Sequence, residues 1–296
     1  MKKYALILNP MAGREKGRKC KIEILAQVKK ALGKVDVYHT ESAGHAQQIS
    51  NDIKNNYSVI IVAGGDGTIH EVVNGMIHGN AALAVIPIGS GNDFIKMLNL
   101  PENINESIQI IKRNKRKQID VGKIGERYFP NGLGIGFDAW VVKESKKVKR
   151  LRGFFIYLYA VLKTVFSFKN EPVSFYANGK TELKDIFLIA VGNGKAMGGG
   201  FYLNPEAIID DGKFDVCIIH ALKKREIFLH LPKTLKGKHT QLKQVETLRT
   251  DRLEIKSEKG IAVQADGELL GLDFKDINIS ILPKALEVVY DGSKTS

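Results

Sequence analysis

The sequence predicts an α/β protein in two parts: an N-terminal doubly wound (Rossmann-like) α/β domain over residues 1–120 and a β-sandwich domain over 121–296. Three observations carry this expectation. Between Tyr4 and Leu98 four short apolar runs alternate with helical patterns through short loops, as in a parallel sheet with helical crossovers. Past Gln118 the segments become short, β-rich or alternating, with turn signals between them. The change follows the basic run Lys112-Arg-Asn-Lys-Arg-Lys117, which reads as a solvated connection and puts the boundary near Gln118 to Gly125.

Tyr4 to Asn9 reads as the first strand, closed by the turn Asn9-Pro10-Met11-Ala12-Gly13. Ile24, Leu25, Val28 and Leu32 give the basic helix that follows its apolar face, and Gly33 ends it. Val35 to Thr40 is the second strand and Glu41 to Asn55 a polar, amphipathic helix. Val59 to Ala63 is an unbroken apolar run of the length expected for a strand buried on both faces. Gly64, Gly65 and Gly67 then remove three Cβ atoms in four positions, so the chain can turn sharply and a ligand can approach its amides. Thr68 with Glu71 three residues later reads as a capping box, and Ile69, Val72, Val73 and Met76 recur at helical spacing. The fourth unit is Ala82 to Ile88, the turn Gly89-Ser90-Gly91-Asn92-Asp93 and a helix from Phe94, with a further helix around Ile104 to Ile111.

Ligands of such sheets bind beyond the carboxyl ends of the strands, and the turns 9–13, 64–68 and 89–93 all fall at that edge. A strand, a glycine turn and a helix N-terminus make an anion site, with phosphate the natural occupant. Asp66 is the odd residue in that turn. A carboxylate beside phosphate is repulsive unless a metal or a basic side chain intervenes, so it points to Mg²⁺ or to a charge network. The turn taken alone also reads as a tight strand-to-helix connection in which Asp66 bonds the backbone. It has neither the Gly-Lys-Ser/Thr ending of a P-loop nor the Gly-x-Gly-x-x-Gly spacing.

In the second half, strands are expected at Val173 to Ala177, Thr181 to Leu183, Phe187 to Val191, Phe214 to His220, Leu253 to Lys256, Ile261 to Ala265, Ile277 to Leu282 and Leu286 to Tyr290. Asn178-Gly179 is a two-residue hairpin signal. The last strand is free to return to the first domain. Two helical insertions interrupt the series. The first carries Lys143, Lys146, Lys147, Lys149, Arg150 and Arg152 ahead of Phe154 to Tyr159. That pattern fits either an interfacial membrane contact or a core helix with a solvated basic lead-in. Lys223, Lys224, Arg225, Lys233, Lys236 and Lys238 surround the second insertion, with the same two readings.

A net charge of +13 and a pI near 9.5 call for an anionic partner: nucleotide, nucleic acid or an anionic membrane surface, unless they only solvate the protein. Cys20 and Cys217 have no metal spacing, which fits a reduced, cytoplasmic protein. The apolar run at the N-terminus is too short for a signal peptide and ends at Asn9-Pro10. The nearest approach to a membrane span, Phe154 to Phe168, is short and contains Lys163, so any membrane contact is expected to be peripheral.

Taken in order, Asn9-Pro-Met-Ala-Gly13, Gly64-Gly-Asp-Gly-Thr68 with Glu71 and Asn74, Pro87-Ile-Gly-Ser-Gly-Asn-Asp93, Asn131-Gly-Leu-Gly-Ile-Gly-Phe-Asp-Ala139, Gly192-Asn193, Asp210-Asp-Gly212 and Asp266-Gly-Glu268 resemble the diacylglycerol kinase catalytic-domain family of lipid kinases, particularly its soluble bacterial members. The resemblance implies an ATP- and Mg²⁺-dependent transfer of phosphate to a lipid with a free hydroxyl, most directly diacylglycerol to give phosphatidate. It implies ATP contacts from Asn9, Pro10, Met11, Ala12, Gly13, Thr40, Gly64, Gly65, Asp66, Gly67, Thr68, Ile69, His70, Glu71 and Ser90. Arg14, just after the first turn, is placed to neutralise phosphate or pair with Asp66 or Asp93. Those two carboxylates are the candidates to orient Mg²⁺ or the basic groups around the transferring phosphate. Glu268 matches the family's proposed general base, although Asp-Gly-Glu in isolation reads as a β-turn with a solvated glutamate. Asp211 resembles a ligand of a second, structural Mg²⁺ completed by main-chain carbonyls near Ile208 and Lys213.

Two other classes compete. The Gly-Gly-Asp-Gly turn alone is shared with NAD kinases and phosphofructokinases, and the basic charge permits a non-catalytic nucleotide- or nucleic-acid-binding module. No nucleic-acid motif appears, so no nucleic-acid partner is expected. Oligomeric state stays open, with an exposed edge strand as one route to a homo-oligomer.

Overall fold

The structure, a computed structural model, describes residues 3–13, 15–148, 151 and 154–292, and of residues 15–20 the backbone alone. The chain divides into two compact units, one of residues 1–120 with 283–296 and one of residues 121–282.

The first unit holds β1 (Tyr4–Leu8), α1 (Glu15–Leu32), β2 (Val35–His39), α2 (His45–Ile53), β3 (Val59–Gly64), α3 (Asp66–Met76), β4 (Ala82–Pro87), α4 (Asp93–Met97) and α5 (Ile104–Arg113). The strands are parallel, in the order β2-β1-β3-β4. Every residue of β1, β3 and β4 is buried, as expected of strands with helices on both faces. Tyr4, Leu6, Leu8, Ile61 and Ile86 point into one core with Ile24 and Val28 of α1 and Ile108 and Ile111 of α5. The alternate residues point the other way, where α2 and α3 pack. Gly75 lets those two helices touch, since a Cβ there would lie 2.0 Å from Ser50 Oγ.

The connection expected over Lys112 to Lys117 is instead the end of α5 and the start of a strand, β5 (Arg116–Ile124). Lys112, Arg113 and Lys115 are exposed, as expected, but two of the basic residues also have partners far along the chain. Arg113 pairs with Asp291 at 3.2 Å and Arg116 with Glu287 at 2.9 Å. Asp120, fully buried, accepts the amide of Lys284 at 2.7 Å.

The second unit continues with β6 (Arg127–Phe129), β7 (Gly132–Gly136), α6 (Phe137–Ser145), α7 (Phe154–Ser167), β8 (Glu171–Ala177), β9 (Lys180–Gly192), β10 (Phe214–His220), α8 (Lys224–Thr234), β11 (Val245–Thr250), β12 (Arg252–Ala265) and most of β13 (Glu268–Val289). Four short strands expected here are halves of two long ones. β9 pairs β8 through its first half and β7 through its second, and β12 does the same from the other side. Each long strand therefore serves both layers, and the register of β12 shifts between Lys256 and Ile261, where Gly260 has φ +83°. The strands expected at 277–282 and 286–290 likewise form one strand, β13, whose end leaves this unit and pairs with β4, Val288 opposite Leu83. The β8–β9 hairpin turns through Asn178 and Gly179, at φ +51° and +80°, as the Asn-Gly pair requires. Phe129 and Phe214 stack at 5.7 Å in the core between the layers. A second core joins α6, α7 and α8 to the outer face through Phe137, Val161, Phe187 and Ile227.

Candidate active site

The parallel register brings the carboxyl ends of the strands level, with Leu8 opposite both His39 and Ala63, and Gly64 opposite Pro87. The three unusual turns consequently meet. Asn9 is the joint between two of them: its amide donates to the carbonyl of Ala63 at 3.0 Å, its Nδ2 to Thr68 Oγ1 at 2.8 Å, and its Oδ1 accepts the amide of Met11 at 2.9 Å. Pro10 and Met11 follow on the rim, Met11 68% exposed, and Ala12 and Gly13 (φ +62°) complete the turn. Thr40 donates its amide to the carbonyl of Leu8 at 3.1 Å and is buried. Arg14 lies outside the described residues.

The second and third turns touch backbone to backbone. A Cβ on Gly89 would lie 2.6 Å from the Cα of Gly65, and one on Gly91 would lie 2.7 Å from Asp66 Oδ2. Asp66 Oδ1 accepts the amide of Phe94 at 3.2 Å, which ties α3 to the start of α4. Ser90 stands exposed between the two contacts. Lys96, which the sequence reading did not single out, donates to the carbonyl of Gly91 at 2.7 Å and lies 3.6 Å from Asp93 Oδ1. It supplies a positive charge inside the third turn, one helical turn beyond Asp93, and that spacing was the signal available for it.

The capping box expected of Thr68 and Glu71 does not form. α3 begins at Asp66, two residues earlier, and its N-cap residue Gly65 makes no side-chain cap; the positive end of such a helix favours an anion. Thr68 bonds Asn9 instead. Glu71 accepts the amides of Gly44 at 2.9 Å and Ala46 at 3.2 Å, capping α2 in place of α3. Ile69 and His70 are buried at 2% and 4% exposure, and the carbonyl of His70 accepts from Asn74 at 2.9 Å. Their side chains belong to the core of the first unit. Asn9, Gly64, Gly65, Asp66, Gly67, Thr68 and Ser90 are thus brought together, while Ile69, His70 and Glu71 serve packing and capping.

In the second unit, Asp266 and Gly267 form a turn at φ +47° and +82° between β12 and β13. Asp266 Oδ1 accepts the amides of Asn131 at 3.1 Å and Gly132 at 2.9 Å, so two motifs 134 residues apart are one local structure. Glu268 follows, its side chain 44% exposed and its Oε2 2.7 Å from Lys146 Nζ. Behind the turn, Gln264 accepts the amide of Gly267 at 2.8 Å and donates to Asp138 Oδ2 at 2.5 Å. Gly134 makes room for this pair, since a Cβ there would lie 2.0 Å from Asp138 Oδ2. Asp138 is partly buried, and that burial pushes its pKa up to about 6, against the lowering effect of the Gln264 bond.

Asp138 lines an apolar cavity with Tyr157, Val161, Phe187, Phe201 and Leu231, its empty space about 770 Å³ with the mouth included. Tyr157 also reaches the turn, its hydroxyl 3.0 Å from where a Cβ on Gly267 would sit. Gln264 was legible in retrospect as the one polar residue in the run Ile261 to Ala265. Cys217 and His239 lie 3.5 Å apart nearby, but burial raises the thiol to about 12 and lowers the imidazole, so the pair is inert.

The metal expectations fare differently. Asp66 and Asp93 offer two carboxylates beside an anion-facing helix start, a donor set suited to Mg²⁺ that also binds phosphates and water. Asp211 does not fit as it stands. Its Oδ1 accepts the amide of Lys213 at 3.0 Å and its Oδ2 pairs with Arg249, whose Nε is also 3.5 Å from Asp215. A cation there competes with a guanidinium already in place, and Ile208 is 48% exposed. Among the described residues no cluster of three or more His, Cys, Asp or Glu side chains is arranged to hold a metal.

Glycine turns converging on a helix start, followed by a β-sandwich unit, suit an α/β phosphotransferase. Residues 3–124 match the diacylglycerol kinase catalytic domain and residues 132–290 the YegS C-terminal NAD kinase beta sandwich-like domain. Diacylglycerol kinase of Staphylococcus carnosus (strain TM300) is 30% identical over 274 residues, 91% of this chain and 90% of that protein. Diacylglycerol kinase of Bacillus subtilis (strain 168) is 28% identical over 277 residues, 92% and 91% of the two chains. A solved structure from Bacillus anthracis str. Sterne superposes with a TM-score of 0.83 at 27% identity, covering 99% of this chain and 98% of that one. An NAD kinase from Archaeoglobus fulgidus in complex with ATP shares the fold alone, with a TM-score of 0.57 at 15% identity over 98% and 94% of the chains. The chain belongs to the diacylglycerol kinase catalytic-domain family. It is a kinase with an alcohol acceptor.

Proposed function

We propose that the chain transfers the γ-phosphate of ATP to the hydroxyl of a lipid, diacylglycerol foremost, to give phosphatidate. One observation supports a lipid over a polar acceptor: the turn that carries Glu268 is fastened, through Gln264 and Asp138, to the wall of an apolar cavity, and Tyr157 of that wall lies beside Gly267. NAD or a sugar phosphate would leave such a cavity without polar partners, whereas acyl chains match it.

In this reading the donor phosphates lie against the turns at Asn9 to Gly13, Gly64 to Thr68 and Ser90, held by main-chain amides and the positive end of α3. Mg²⁺, when bound, screens the charge of the transferring phosphate. Asp66, fixed by the amide of Phe94, and Asp93, beside Lys96, orient the groups around that phosphate. Glu268 takes the proton of the acceptor hydroxyl, and Lys146 holds its carboxylate in position until substrate arrives. Peripheral binding to an anionic membrane belongs to the same reading, since the acceptor is delivered in a bilayer.

The test is transfer of labelled γ-phosphate from ATP to a lipid panel in mixed micelles with Mg²⁺, for wild type and for Glu268→Gln. The expected result is labelling of one lipid class and a loss of about 10²-fold or more in kcat for the variant, with nucleotide binding retained. Labelling of NAD or a sugar phosphate instead, or an unimpaired Glu268→Gln, overturns the reading.

A further inference from the structure

Gln264 is the only polar side chain in the run Ile261-Ala262-Val263-Gln264-Ala265, and it is 2% exposed. A primary amide in such a place costs stability unless both of its ends are bonded. Both are. The main-chain amide of Gly267 can only donate, so the atom it meets at 2.8 Å is Oε1, which leaves Nε2 to donate to Asp138 Oδ2 at 2.5 Å. The two bonds fix which way the side chain lies and make one path of three groups: the Asp138 carboxyl, the Gln264 amide and the Gly267 N–H.

The path is anchored firmly at the Asp138 end. Asp138 lies in the first turn of α6, whose opening residue, Phe137, stacks on Phe187 with ring centroids 4.2 Å apart and meets Phe168 edge-on at 5.4 Å. At the other end is the two-residue turn between Ala265 and Glu268, which face each other across the β12–β13 ladder. Both central residues of the turn have positive φ, as a tight hairpin requires, and the ladder closes at Ala265 and Glu268 without using the Gly267 amide. Asp266 fastens the first half of the turn to the amides of Asn131 and Gly132. Gln264 fastens the second half, the one that leads directly into Glu268. Lys146 adds less, because its ion pair with Glu268 is about half exposed on both sides and such pairs hold little. Lys149, Arg150 and Arg152 of the same basic run lie outside the described residues.

We propose that Gln264 is a positioning residue of the phosphoryl transfer: by bonding the Gly267 amide and the Asp138 carboxyl at once, it sets where the Glu268 carboxylate stands against the acceptor hydroxyl. It touches no reacting atom. The proposal rests on the reading of Glu268 as the general base. A base must lie within hydrogen-bond reach of the proton it takes, and a displacement of about 1 Å lowers the rate by about 10²-fold. Without the Gln264 amide, Gly267 and Asp138 each lose a partner and the turn is held at Asp266 alone, so Glu268 is free to shift on that scale. The loss falls on kcat and spares the binding of ATP, whose turns belong to the first unit.

Three variants test this in the transfer assay, on whichever acceptor wild type labels, with the unfolding midpoint of each measured alongside. Gln264→Met keeps the length of the side chain and removes both bonds. Gln264→Glu keeps the acceptor for Gly267 and sets two carboxyls against each other. Gln264→Glu combined with Asp138→Asn exchanges amide and carboxyl, keeps the net charge and restores both bonds. Gln264→Met and Gln264→Glu are each expected to lower kcat by about 10- to 100-fold with KM for ATP within about twofold, and the exchanged pair to recover to within about fivefold of wild type. In a Glu268→Gln background Gln264→Met should cost less than about threefold more, since a residue that acts through Glu268 has nothing left to position. Losses that multiply in the two backgrounds, an exchanged pair no better than Gln264→Glu, or an unchanged kcat for Gln264→Met would each overturn the inference. A fully active Glu268→Gln enzyme removes the base reading and the proposal with it, whereas an impaired Glu268→Gln beside an unimpaired Gln264→Met removes the proposal alone.

Discussion

Gly89→Ala probes the point where the assembled turns are tightest. The new Cβ would lie 2.6 Å from the Cα of Gly65 and 3.1 Å from Asn92 Oδ1. Carbon atoms in contact sit about 3.5–4.0 Å apart, so the two turns must part by about 1 Å. The obstructing carbon is backbone, and no rotamer change relieves it. Two costs follow. Overpacking of this kind costs about 1–3 kcal/mol of stability, several degrees in the unfolding midpoint. The shift also moves the amides at the start of α3 relative to Ser90, and a 1 Å misplacement of positioning groups lowers rate by about 10²-fold. Steady-state ADP release at saturating acceptor should therefore show kcat/KM for ATP reduced by about 10- to 100-fold. Gly125→Ala is the matched control, because Gly125 has φ +53° but nothing within 4 Å of its Cβ position. It should lose about 1 kcal/mol and leave kcat/KM unchanged. A Gly89→Ala enzyme with kcat/KM within twofold of wild type and an unaltered midpoint would refute the packing of these turns and their place in the site.

Two further predictions concern stability. Burial raises Asp138 from 3.8 to about 6, so the folded state holds that proton more tightly than the unfolded chain. Stability from this group is complete below about pH 4, declines as pH rises to about 6, and is flat above. Asp138→Asn removes the titration and keeps an acceptor for Gln264; urea unfolding at a series of pH values should show the variant gaining on wild type between pH 4 and 7, by at most about 3 kcal/mol and less because the cavity reaches the carboxyl. Parallel curves would contradict it. Glu71→Ala strips the acceptors from two amides at the start of α2, whose own cap residue is Gly44, and should cost about 1–3 kcal/mol in the same measurement, with Glu71→Gln losing less. Equal midpoints for all three forms would remove Glu71 from that role.

The elements of the first unit were legible because β1, β3 and β4 are short, fully apolar runs, β2 alternates, and each turn is written in residues without Cβ atoms or with turn chemistry. What those turns touch was not. The contact of Gly65 with Gly89 joins residues 24 positions apart, and nothing local reports it. Thr68 and Glu71 have the spacing of a capping box, but their partners, Asn9 and the amides of Gly44 and Ala46, lie 25 to 59 residues away and prevail over the local arrangement. β9 and β12 were divided because each changes partner halfway, and a strand that serves two layers loses its simple alternation at the crossing. α7 offered no polar face from which to tell buried from exposed; its buried side is Ala160, Val161, Thr164 and Val165.

The return of β13 has a consequence for how the protein is made. The first unit is begun before the inserted one and completed after it, because Glu287, Val288 and Asp291, which pair with Arg116, Leu83 and Arg113, follow residue 282. At ordinary synthesis speed the 160-odd residues after Asp120 take on the order of ten seconds or more, during which β4 has no neighbour on one side. The inserted unit, whose strands are consecutive in the chain except where β13 departs, is free to fold in that interval, and a nascent chain cut short anywhere before residue 283 leaves the earlier half with an open sheet edge.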